Sequence, residues 1–141
     1  MMKKPKRRIG LWWLNLIFII SGLLGFSRFW MIVENGGYYQ TVGLQVSIGY
    51  LAAGGLLWML LGFGGGILLF FRQKWVPKMV WGCAAGLSVS YWFDRIIMAV
   101  NSDQASNWGF MLLMNGLFFG TMAWVFSRKQ NKRFFEWRQD E

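Results

Sequence analysis

The chain has 141 residues and a formal net charge of +9, with 55% hydrophobic, 19% aromatic and only 15% charged residues. It is too apolar for a soluble domain of this length and reads as an integral membrane protein. It contains no histidine and a single cysteine, Cys83, so His-ligated haem, HExxH zinc proteolysis, His-based triads, Cys/His metal clusters and an internal disulfide are excluded within this chain, and no cofactor or metal is expected.

The basic opening MMKKPKRR precedes an apolar stretch from Leu11 to Val33. This stretch is longer than a signal-peptide core and no A-x-A-like cleavage site follows it, so it is expected to be a retained first span. Three more apolar stretches follow, Val42 to Phe71, Val76 to Val100 and Trp108 to Phe126. About 20 apolar residues rising 1.5 Å each cross a hydrocarbon core of about 30 Å, so each stretch predicts one helical span. Asp94 and Arg95 interrupt the third, and Pro77 suits its first turn, where a missing N–H is no loss. Short connections force neighbouring helices to be antiparallel. The expected fold is all-α: one membrane domain over residues 1–141, a four-helix bundle of two antiparallel helical hairpins, with basic tails at 1–10 and 127–141.

Cations give the orientation, because Lys and Arg resist translocation. The N-terminal tail holds Lys3, Lys4, Lys6, Arg7 and Arg8, the middle connection Arg72, Lys74 and Lys78, and the C-terminal tail Arg128, Lys129, Lys132, Arg133 and Arg138. The segments ENGGYYQT and NSDQASN hold none. Both termini are therefore expected in the cytoplasm. Trp12, Trp13, Trp75, Trp81 and Trp124 then fall near the inner surface and Trp30 and Trp108 near the outer one, as amphipathic indoles prefer.

Helices in a bilayer associate through close backbone approach and interhelical hydrogen bonds. Small residues therefore predict the packing faces: Gly62 and Gly66 in the second span, Gly82, Gly86 and Ser90 in the third, Gly116 and Gly120 in the fourth, with Ser21 and Gly25 in the first. Two of these ridges end in a charge, Arg28 and Asp94. An ionised group at membrane depth costs at least about 2.5 to 3.5 kcal/mol unless it pairs, snorkels or faces water. Arg28 and Asp94 lie at matching depths, roughly 8 to 9 Å below the outer boundary, and are expected to pair. Asn115, at about 10 Å, with Gln45 and Ser47, would complete a polar layer in the outer third of the bundle. Arg95 cannot share a helix face with Asp94 and must find headgroups, Glu34 or another subunit.

The C-terminal tail mixes Arg128, Lys129, Lys132 and Arg133 with Phe134, Phe135 and Trp137. It is expected to lie in the inner interface, with its rings among acyl chains and its cations near anionic lipid. The positive-inside rule already accounts for the charge excess, so nucleic acid is not an expected partner.

The segments YWFDR (Tyr91 to Arg95), NWGF (Asn107 to Phe110) and RFF (Arg133 to Phe135) resemble a loose group of small uncharacterised bacterial four-span membrane proteins. In these, a W-x-D-R segment ends one span and an N-W-x-F segment starts the next. The resemblance covers mainly Gly66 to Phe135. It implies four spans in a bacterial cytoplasmic membrane and singles out Asp94 and Arg95, but carries no activity.

Short loops, an absence of cofactor ligands and glycine-rich faces point to a non-enzymatic membrane protein that works by association, as an accessory or assembly subunit of a larger complex. The alternative is a small oligomeric transporter or channel whose path is lined by Arg28, Asp94 and Asn115. An intramembrane enzyme lacks a base, since no histidine and no intramembrane lysine is available to activate Ser88 or Ser90.

Overall fold

The computed structural model describes residues 9–41, 47–71, 73–98 and 107–136. Every regular element among them is an α-helix: α1 (Ile9–Thr41), α2 (Ile48–Leu68), α3 (Val76–Met98), α4 (Trp108–Ser127) and the short α5 (Lys129–Glu136). Three of these, α1, α2 and α4, are long and apolar enough to cross a membrane. Four spans are expected from sequence; among the described residues three helices reach this apolarity and α3 is less apolar than they are. α3 has 23 residues and so is about 35 Å long, but Lys78, Asp94, Arg95 and its hydroxyl and indole side chains dilute it.

Two boundaries also move. α1 runs past Val33 through residues expected to form a loop, broken only at Asn35, whose backbone (φ −112°, ψ 20°) kinks the helix without ending it. α2 starts later than Val42, at a cap made by Ser47, whose Oγ accepts from the backbone N–H of Tyr50 at 3.1 Å. That cap satisfies one of the orphan donors of the first turn.

Glycine sets the closest helix contact. Going up α1, Phe18, Gly22, Gly25 and Phe29 meet Gly65, Gly62, Met59 and Gly55 going down α2, an antiparallel register. A Cβ on Gly62 would lie 2.3 Å from the Gly22 nitrogen, and one on Gly25 would lie 2.4 Å from the Met59 nitrogen. Only glycine permits backbones this close, which is the means by which helices associate where no hydrophobic effect drives them. α2 makes the next largest contact with α3, whereas α4 touches α1 and α3 only sparingly.

The small residues expected to pack therefore divide. Gly66 lies against Asn15 and Ile19, and Gly86 approaches Leu61. Ser90 turns back to donate to the Gly86 carbonyl at 2.8 Å. Gly82, Gly116 and Gly120 have no described neighbour within 4 Å of a Cβ position, so their assignment to helix packing within the chain is corrected. The reason is the face that α4 turns inward, which carries bulk instead: Phe118 packs edge-on to Phe18 at 6.0 Å and Phe119 stacks on Trp81 at 5.7 Å.

The core gathers where α1 begins and α4 ends, from Leu11, Leu14, Phe18, Leu69, Val76, Val80, Ala84, Leu87, Met122, Val125 and Phe135. Phe135, expected among acyl chains, is instead 3% exposed and packs on Phe126 at 6.1 Å. α5 is amphipathic enough to fold back and bury that ring, while Lys129 and Lys132 stay exposed. Trp137 and the side chains of Arg133 and Phe134 lie outside the described residues.

Candidate functional site

The glycine crossing of α1 and α2 decides where Arg28 goes. Gly25, one turn before it, brings the backbone of Trp58 and Met59 against α1, and Gly55 seats against the backbone of Phe29. Held this close to α2, α1 is near enough to α3 for the Arg28 side chain to cross. Its Nη1 donates to Asp94 Oδ2 in an interhelical ion pair, with the two side chains 29% and 16% exposed.

Tyr50 of α2 completes the cluster by donating its Oη proton to Asp94 Oδ1 at 2.7 Å. One carboxylate thus ties three helices, one oxygen to each partner. Gly54, one turn along α2 from Tyr50, leaves space beside the pair: a Cβ there would sit 3.6 Å from Arg28 Nη2 and 3.8 Å from Asp94 Oδ1. Arg28 Nη2 is buried and has no hydrogen-bond partner among the described residues.

The sequence reading missed Tyr50, because a tyrosine inside an apolar stretch reads as an interfacial ring. Its position one turn from Gly54 was the available signal. Of the residues expected beside it, Ser47 caps α2 and Gln45 lies outside the described residues.

Asn115 does not join the charges. Its Nδ2 donates to Ser88 Oγ at 2.8 Å, and Ser88 lies six residues, about 9 Å along the helix, from Asp94. The single expected polar layer is therefore two clusters at two depths. The register of α3 on α4 causes this, with Trp92 against Trp108 at 5.5 Å and Trp81 against Phe119.

Arg95, expected to look outside its own helix, donates from Nη1 to Tyr91 Oη at 3.0 Å, one turn back on α3. Tyr91, Ser88 and Asn115 line a cavity of about 280 Å³ between the helices, together with Ser21, Trp58 and apolar side chains of α4 such as Met114 and Phe118. Neither Arg28 nor Asp94 lines it.

No group of His, Cys, Asp and Glu residues able to hold a metal ion is present among the described residues. What the charged cluster can do is hold helices together, since both oxygens of its carboxylate are engaged. No protein-family model, curated protein or solved structure matches the chain.

Proposed function

We propose that this chain is a non-enzymatic integral protein of a bacterial cytoplasmic membrane, acting as an accessory or assembly subunit of a larger membrane complex. The observation that carries this reading is the outward face of α4. Gly109, Leu113, Gly116, Gly120, Ala123 and Ser127 recur at alternating four- and three-residue spacing, and all are exposed. This is the spacing of a helix–helix seam, and small residues along it allow a second backbone to approach closely. Within the chain α4 has few contacts, so the seam is left for a helix of another subunit.

The transporter alternative draws less support. Asp94 is engaged by both Arg28 and Tyr50, and the cavity beside Asn115 is reached by neither charge.

The experiment is native mass spectrometry of the protein extracted in mild detergent, with Gly116→Leu/Gly120→Leu beside the wild type. A stoichiometric unrelated membrane protein is expected on the wild type and at least tenfold less on the variant, with both equally helical. A homogeneous homo-oligomer carrying no other protein would overturn the reading and favour the transporter.

In the same proposal both termini are cytoplasmic and the helices form two antiparallel hairpins. This requires α3 to cross as a fourth span despite its lower apolarity, which pairing of Asp94 with Arg28 makes tolerable. Alkaline phosphatase fused after Glu141 should be inactive and a fluorescent protein fused there bright. An active phosphatase would put the C-terminus outside and overturn this topology.

A further inference from the structure

The start of α1 and the elbow between α4 and α5 enclose a second cavity, of about 550 Å³. We propose that it holds the headgroup of one anionic phospholipid, a site more specific than the diffuse attraction of a basic tail. The inference rests on the membrane reading above, and its placement in the inner leaflet rests on the cytoplasmic termini.

The elbow is a built structure. α4 stops at Arg128, whose extended backbone (φ −64°, ψ 124°) turns the chain into α5. Asn131, only 3% exposed, donates from Nδ2 to the Val125 carbonyl at 2.7 Å and so satisfies an acceptor at the end of α4. The backbone N–H groups of Asn131 and Lys132 close on the Arg128 carbonyl at 3.0 and 3.1 Å. Phe135, buried against Phe126, anchors the far end of α5. A cavity lined by Asn131 is therefore framed from inside the fold.

Its other walls state what fits. Ile9, Trp13, Trp124 and Val125 supply apolar and indole surface, and Arg128 supplies charge. The Arg128 guanidinium carbon lies over the Trp124 ring, 3.8 Å from its centroid. A cation–π contact leaves guanidinium N–H groups to donate, the fork that matches a phosphate. Among the described residues no acidic side chain lines the cavity, and Lys129 and Lys132 are exposed nearby. Trp13 and Trp124, 58% and 55% exposed, have the amphipathic rings that settle at headgroup level. A soluble phosphate compound would use the arginine but leave the indole and aliphatic walls in water. A phospholipid satisfies both, with its phosphate on Arg128 and the upper acyl chain against Trp13 and Ile9. Excess positive charge selects an anionic headgroup over a zwitterionic one.

The test is native mass spectrometry of the full chain in a mild non-ionic detergent with equimolar phosphatidylglycerol and phosphatidylcholine. It reads lipid retention without reference to topology, so its failure is distinct from failure of the orientation or of the accessory-subunit reading. The wild type should retain one phosphatidylglycerol, at least fivefold in preference to phosphatidylcholine. Arg128→Gln should abolish that preference. Lys132→Gln removes the same charge from a residue outside the cavity wall and should leave the preference within twofold of wild type. Both substitutions are at exposed positions, and equal helicity of the two variants checks the fold. Equal losses in the two variants would reduce the effect to diffuse electrostatics and overturn the site. Equal retention of the two lipids, or displacement by an equal concentration of inorganic phosphate, would overturn it as well.

Discussion

Asp94→Leu is expected to destabilise the protein by about 3 kcal/mol, read as a shift in equilibrium unfolding in mixed micelles. Removing one partner of a partly buried ion pair leaves the other charge uncompensated, and that, more than the lost attraction, is the main cost. The expectation is asymmetric. Asp94→Leu strands both the Arg28 guanidinium and the Tyr50 hydroxyl, whereas Arg28→Leu leaves Asp94 the hydrogen bond it accepts from Tyr50. Arg28→Leu should therefore cost less than Asp94→Leu.

The double variant Arg28→Leu/Asp94→Leu should recover most of the loss, because two apolar residues leave no charge to solvate. Exchanging the charges, Arg28→Asp with Asp94→Arg, should also recover part of it. Additive losses in either double-mutant cycle would show that the two groups do not act as a pair.

Gly62→Leu is expected to cost about 3 kcal/mol or more by the same measurement, because it overpacks the tightest crossing in the molecule. Its first added atom would lie 2.3 Å from the Gly22 nitrogen and 2.5 Å from the Gly22 Cα. Backbone atoms cannot rotate aside as a side-chain end can, so α1 and α2 must separate. Separation would also withdraw Arg28 from Asp94, since the same glycine crossing sets their spacing. Gly62→Ala should already be felt.

Gly116→Ala and Gly120→Ala, with nothing described within 4 Å of either position, should stay within about 0.5 kcal/mol of wild type. A loss at Gly116 as large as that at Gly62 would mean that α4 packs its glycine face inside the chain. The contrast matters because the two GxxxG pairs look alike in sequence. One holds the protein together, and the other is the face proposed for a partner.

The positions of the helices were legible in the sequence because they follow from a one-dimensional quantity, the length of apolar runs measured against a fixed bilayer thickness. The meeting of Arg28 with Asp94 was legible for a related reason. Each ended a small-residue ridge at a similar depth, and an intramembrane charge has few places to go. The participation of Tyr50, the departure of Asn115 to Ser88, the turn of Arg95 onto Tyr91 and the burial of Phe135 were not legible. They depend on helix rotation and axial register, which bulky contacts such as Trp92 on Trp108 and Phe119 on Trp81 fix and which spacing along one chain does not encode.

The kink at Asn35 illustrates the same limit at shorter range, since an Asn-Gly-Gly segment that ends many helices here only bends one. By itself the sequence determined an all-helical chain with spans apolar enough for a bilayer, because burial in lipid is a property of composition. Only the tertiary structure decided which glycines are contacts and which are open, because a glycine marks where two backbones can approach and the rotation of each helix decides whether one is there.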